Sequence, residues 1–326
     1  MNNTTKQITN DFIENRDIIK KTLKFESQYI IPVAANEFCA AGVKADAEKL
    51  SECKKIIKKN SGFASYLKGN ILPVFAAKLS VADDIEAQFN KVTEMYAILK
   101  EHYKKSEYLA LFATFLAEKT TVEKAENIAE RGRTLYNMMK KEHPFLTSNE
   151  DSIMSGFMAF SEKDDKQLID ETEKCYDLLR KKFSDKNAVQ TVSHILAIAD
   201  GTAEEKVERV CRMYDMFKGA GRKFGKHYEL SSLAAISVID ADEKELVDTV
   251  IEIDGILDGQ KGYGAFSIDK KTRLMHASML TADLYDDPEN TQAAVSASAL
   301  AAIAAQEAAM CAAIAASAAA NSANYS

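Results

Sequence analysis

A short pattern that returns about every forty residues is the strongest constraint on what this chain can fold into. A marker position is followed two and three places later by two adjacent apolar residues, and at the fourth place by a cation. It occurs at Arg16 (Ile18, Ile19, Lys20), Lys54 (Ile56, Ile57, Lys58), Tyr96 (Ile98, Leu99, Lys100) and Tyr136 (Met138, Met139, Lys140), then at Tyr176 (Leu178, Leu179, Arg180) and Tyr214 (Met216, Phe217, Lys218). A seventh copy at Asp254 (Ile256, Leu257) has Asp258 where the cation belongs. The markers stand 38 to 42 residues apart, a spacing typical of stacked helical hairpins.

The residues before each marker extend it into an amphipathic helix, here helix B. Phe89, Val92 and Met95 precede Tyr96 by seven, four and one places, and Val207, Val210 and Met213 precede Tyr214 in the same way. Between the B helices lie shorter segments that are apolar on nearly every side, such as LALFATFLAEK from Leu109, IMSGFMAFSEK from Ile153 and TVSHILAIAD from Thr191. These predict a more buried helix A. The B-to-A connections carry Phe145, Phe183, Phe224 and Phe266, expected to plug the gaps between successive hairpins. Asn149 or Asp151, Asn187 and Asp269 stand where N-caps are wanted. The predicted fold class is all-α: an α-solenoid-like array of helical hairpins over residues 1–289, curved into an arc with contacts between neighbours only. Residues 290–326 form a long Ala-rich C-terminal helix packed on or extending that array.

This tail contains AAVSASALAAIAAQEAAMCAAIAASAAA, whose only charge is Glu307. Alanine is the best intrinsic helix former, so the run is helical and roughly 40 Å long. Leu300, Ile303, Met310 and Ile314 give it one narrow apolar seam, so it must lie against something. Counting forty from Asp254 reaches Ala294, which makes the run the next helix B. It is not expected to cross a membrane, because alanine is close to neutral for insertion and Gln306 and Glu307 sit mid-run.

Residues His143-Pro144-Phe145-Leu146-Thr147-Ser148-Asn149-Glu150-Asp151, the overall length and the alanine-rich tail resemble a bacterial domain-of-unknown-function family, number 4003. The resemblance implies a bacterial cytoplasmic protein and supplies no activity and no site residues. The residues agree with a cytoplasmic placement. The five cysteines are scattered without a CxxC pair and read as reduced thiols, and the N-terminus has no apolar h-region.

No HExxH, GxGxxG, GxxxxGK[ST] or GxSxG occurs, and no catalytic residue, cofactor or metal ligand is assigned. The function expected is that of a non-enzymatic scaffold binding a protein or peptide partner through a concave face or a basic rim. The rim comprises Lys140, Lys141, Lys181, Lys182, Arg222, Lys223, Lys270 and Lys271 at the ends of B helices, and the A-to-B turns are acidic. Cations at helix C-termini and anions at N-termini also complement the helix dipoles, which explains the same charges structurally. A net charge of -7 argues against general nucleic-acid binding, although a local rim can override it. Two alternatives stand beside the scaffold. One is an enzyme with a site assembled from several repeats, acting on nucleic acid through the rim. The other is association through the tail, with a second copy or a membrane surface. The glycine-rich segment 258–266, where the repeat breaks, is the first place to look for a small ligand.

Overall fold

In the computed structural model, residues 3–62, 65–264, 267–286 and 295–323 are described, with the side chains of the last helix as far as Ala313. Fifteen α-helices lie among them. They are α1 (Asn3–Thr22), α2 (Ile31–Ala40), α3 (Ala47–Asn60), α4 (Leu72–Val81), α5 (Ile85–His102), α6 (Glu107–Lys119), α7 (Val122–Glu142) and α8 (Asp151–Met158), followed by α9 (Asp165–Leu179), α10 (Lys186–Ile198), α11 (Ala203–Gly219), α12 (Glu229–Ser237), α13 (Glu243–Asp258), α14 (Lys270–Leu284) and α15 (Ala297–Ala323). The seven markers fall one each in the odd helices α1 to α13, which are the B helices. The even helices α2 to α14 are the A helices.

Side-chain burial explains the recurring pattern. The residues one before and three after each marker, such as Cys53 and Ile57, Met95 and Leu99, or Ile253 and Leu257, are inaccessible to solvent, while the residue two after stays half-buried. A B helix therefore covers the core with one stripe. The A helices are buried on all sides, and every residue of α8 and α12 is buried. Acidic turn residues start the B helices as caps: Asp46, Asp84, Asp164 and Asp242 each accept backbone N–H bonds, and Thr202 forms a capping box with Glu205.

Among the A helices Asp269 caps α14 as expected. The cap of α10 is Asp185, two residues before Asn187, and Asp151 is the first residue of α8, accepting from the Ser148 N–H at 2.7 Å. Phe183 and Phe224 fill gaps between hairpins, whereas Phe145 is 99% exposed. Phe266 lies outside the described residues.

The hairpins pack side by side as expected of the array, but contacts do not stop at neighbours. α1 packs on α13, and α2 on α14, so the first hairpin meets the last. The result is a closed double ring, with B helices outside and A helices inside. At the joint between α4 and α6, Lys78 bridges Glu37 of α2 (2.9 Å) and Glu118 of α6 (2.7 Å). The open arc is thus corrected to a ring, because a sequence period gives the size of the unit and not the angle between units.

The place of the tail is corrected as well. Instead of continuing the outer row, α15 runs through the hole, packing on α12, α14 and α2. Ser298 bonds Asp286 after α14 (2.6 Å), and Cys311 approaches Tyr108 at the start of α6 (4.0 Å), so α15 is antiparallel to the A helices. Seven helices spaced about 9 Å apart put their axes about 10 Å from the ring centre, the interaxial distance of one further packed helix. Ala301, Ala304, Ala305, Ala308 and Ala309 are 0 to 3% exposed, so the small side chains face the wall.

Truncation after residue 289 should therefore destabilise the whole ring and not merely its last hairpin. Leu300, Ile303 and Met310 alone contribute about 1.5 to 3 kcal/mol of burial each. The truncated chain should show a lowered thermal midpoint and binding of an apolar dye; an unchanged melting curve contradicts this placement.

Candidate functional site

Three places gather polar or exposed side chains: the seam where the ring closes, its plugged centre, and the face carrying the B-to-A connections.

Around the outer ring, the residue seven places after one marker stacks on the next marker. Tyr103 meets Tyr136, His143 meets Tyr176 and Phe183 meets Tyr214, with centroids 6.2, 4.5 and 5.1 Å apart. Stacking holds Tyr136, Tyr176 and Tyr214, whose hydroxyls make no hydrogen bond among the described residues, while the Tyr103 hydroxyl lies 3.3 Å from Ser155 Oγ. The series ends at Gly221, where an ionic contact takes over. Arg222 Nε donates to Asp254 Oδ2 (2.7 Å), and Arg273 Nε donates to Asp254 Oδ1 (2.7 Å) and also pairs with Asp258. Across the closure, the guanidinium of Arg16 lies 5.5 Å from the centre of the Tyr263 ring, and the Tyr263 hydroxyl is 2.9 Å from His276 Nδ1. The segment where the repeat breaks is thus the seam, and its polar groups engage one another except at Arg16 Nη1 and His276 Nε2, which are buried without a hydrogen-bond partner.

A second recurrence escaped the sequence reading. Five residues before their markers, Lys49, Arg131 and Arg209 reach across to backbone carbonyls at the end of the next A helix: Ala82; Ala159, Ser161 and Lys163; Ile239 and Ala241. In α9 this position is Glu171, which pairs with Lys163 and Lys206, and both lysines hold the carbonyl of Ala199. The signal was a cation at a fixed offset, present as Lys49, Lys91, Arg131 and Arg209 but hidden because Asp11, Glu171 and Thr249 take its place in the other three copies.

In the centre, α15 leans toward α12, α14 and α2. Between plug and wall it leaves a narrow dry cleft lined by Met154, Thr191, Ile195 and Ser231 of α8, α10 and α12 and by Leu300, Ile303, Ala304 and Glu307 of the plug. Glu307 Oε1 has no hydrogen-bond partner there. Burial raises the Glu307 pKa well above the ordinary range, and the Glu150 and Asp151 charges add to this. Burial also pushes Asp151 up to about 7 and His194 down to about 3, with His194 Nδ1 3.8 Å from Asp151 Oδ1. Burial thus disfavours the charged form of all three groups. No group of three His, Cys, Asp or Glu side chains that could hold a metal occurs among the described residues.

The predicted rim divides into two sets. Lys140 donates to the Thr147 carbonyl (2.5 Å), Lys182 to the Cys211 carbonyl and Asp215, and Arg222 to Asp254, while Lys271 lies 3.9 Å from Glu229. These cations tie hairpins together. Lys141, Lys181, Lys223 and Lys270 are exposed and make no side-chain contact of this kind among the described residues. Lys270 and Lys271 begin α14 and do not end α13. All eight still lie at the same end of the ring, because B-helix ends and A-helix starts share it. Phe25 and Phe145 are the most exposed large apolar residues of that face, at 105% and 99%, against 39% for Tyr66 and Tyr228.

The sequence profile described as "Protein of unknown function (DUF4003)" matches residues 15–309. The chain belongs to that family. The matched span runs from the closing seam to the plug, past Glu307. A curated relative, the uncharacterized protein YeaA of Bacillus subtilis (strain 168), is 25% identical over 303 residues, covering 87% of this chain and 90% of its own length. No solved structure matches.

Two outcomes are expected from this geometry. Asp254→Ala leaves Arg273 buried without its main counter-charge, and should cost about 3 to 5 kcal/mol in denaturant unfolding; a change under about 0.5 kcal/mol contradicts the seam. For pH, a carboxyl whose folded pKa is raised holds its proton in the folded state after the unfolded chain has lost it. The contribution of each such carboxyl is then greatest at low pH and falls as pH rises from the unfolded value near 4 toward about 7 for Asp151, and beyond for Glu307, while buried His194 contributes in the opposite sense as pH falls from 6.5 toward about 3. The slope is at most about 1.4 kcal/mol per pH unit per group. Glu307→Gln should flatten the dependence of the urea midpoint on pH, and an unchanged slope counts against a neutral Glu307.

Proposed function

We propose that this chain is a non-enzymatic docking module that engages a partner with an anionic surface, such as an acidic protein, through the end of the ring carrying the B-to-A connections. One observation carries the reading: on that end Lys141, Lys181, Lys223 and Lys270 project free of internal partners, beside the exposed rings of Phe25 and Phe145. Charges used only to complement helix dipoles need no exposed aromatic companions. The expected concave face is occupied by α15, so the partner surface moves to the end of the ring. Acidic N-caps such as Asp84, Asp164 and Asp242 stand on the opposite end, which gives a chain of net charge -7 one face attractive to anions.

A cytoplasmic, bacterial protein fits the same reading. The five cysteines are free, desolvation raises the thiol pKa of each, and the curated relative is bacterial. No helix among the described residues is long and apolar enough to cross a membrane.

Replacing Lys141, Lys181, Lys223 and Lys270 together by glutamate should leave the melting temperature within a degree or two, because exposed unpaired charges contribute little to folding. The native protein should be retained on a polyanion matrix at an ionic strength of about 0.01 M, where screening extends only beyond about 30 Å, and the variant should flow through. Equal flow-through of both proteins rejects the docking face.

A further inference from the structure

Phe25 is the one non-glycine residue with positive φ among the described residues, at 72°. A left-handed conformation is costly for an aromatic residue and cost-free for glycine. Its side chain meets no part of the fold, being 105% exposed. The chain thus keeps an aromatic ring where glycine would make a more stable turn. Phe145 is a second unpacked ring. The joint that Phe183 fills by stacking on Tyr214 is filled in the fourth repeat by His143, which stacks on Tyr176, so Phe145, two residues further on and after Pro144, is released from the joint and 99% exposed.

The ring fixes where these two residues stand. Phe25 lies in the connection of the first hairpin and Phe145 in that of the fourth, three steps apart in a ring of seven. They therefore project from the same end on nearly opposite sides, with the plugged centre between them. A bound peptide needs a continuous groove, and two separated points around a filled centre do not form one. A plane meets both at once. Lysines accompany the rings: Lys24 adjoins Phe25, Lys141 ends the helix before Phe145, and Lys181, Lys223 and Lys270 continue around the same end, all exposed.

We propose that this end of the ring binds the surface of an anionic lipid bilayer, with Phe25 and Phe145 entering the headgroup boundary and the lysines contacting lipid phosphates. The inference rests on the docking reading and names its partner. An aromatic ring stripped of protein contacts loses water-exposed area on entering the interface, and cations around it are attracted by a negative leaflet. The acidic end faces away from the bilayer. Binding is peripheral.

The test is flotation of the full chain with vesicles of phosphatidylcholine containing phosphatidylglycerol, against pure phosphatidylcholine. The native protein should float with the anionic vesicles only, and less at high salt. Phe25→Gly and Phe145→Ser should each lower partition about tenfold, the low end for withdrawing one phenylalanine from an apolar contact. Phe25→Gly should also raise the melting temperature by relieving the left-handed strain, an effect opposite in sign to that of losing a packing residue. Binding that survives both substitutions overturns the proposal, as does Phe25→Gly lowering the melting temperature. Retention on a polyanion matrix without flotation rejects the bilayer and leaves the docking face standing. Failure of both rejects both.

Discussion

A ring of helices apolar on both faces has to fill its own hole. The A helices meet the B helices on one side, and on the other they present Met154, Ile195 and other apolar side chains to the centre, which are best covered by a further apolar surface. Seven helices at ordinary packing distance leave room for about one more, provided its side chains are short. The alanine-rich α15 meets that condition. Its largest apolar residues lie along one seam, and most of its surface is methyl groups that can approach a wall from any side. The fit is slightly loose, because a seven-membered ring has a larger hole than a hexagonal packing. That accounts for the cleft left beside α8 and α10 and for the polar atoms of Gln306 and Glu307 without partners.

Closure also explains where the repeat departs from its own rule. Tyrosine markers work where each hairpin stacks on an aromatic residue of the one before. The first copy has no predecessor in sequence and meets the last one across the closure, where its marker Arg16 lies over the Tyr263 ring. The marker of copy seven, Asp254, is held by Arg222 from the copy before it and by Arg273 of its own hairpin. The departures of copies one and seven thus mark the closure and the joint next to it.

The same ring separates two chemistries. Every A-to-B turn lies at one end and every B-to-A connection at the other, so a local preference for acids at helix starts and bases at helix ends adds up to a molecule with two unlike faces. Half of the basic rim is consumed in tying hairpins together, and the rest is left free. Exposed aromatic rings occur on the free side, and one of them occupies a backbone conformation that disfavours it. That combination, more than the charge itself, supports the proposed docking face over a reading of well-capped helices alone.

The alternation of B and A helices, the period of the array, the residues facing the core and the helicity of the tail were legible in the sequence, because each depends on contacts within one hairpin. Cys53 and Ile57, or Met95 and Leu99, announce a buried stripe by spacing alone. Of the candidate site, the cations were legible as a set, but not the division between Lys140, which holds the Thr147 carbonyl, and Lys141, which is free. Nor did the sequence distinguish Phe145 from Phe183, since both follow a helix by a few residues and differ only in where the next helix sits. Only the tertiary structure decided that the array closes, that α15 lies inside it and that the concave face is filled. The reason is geometric: each hairpin contributes a small rotation set by side-chain packing against its neighbour, and closure depends on the sum of seven such rotations, which no segment of sequence encodes by itself.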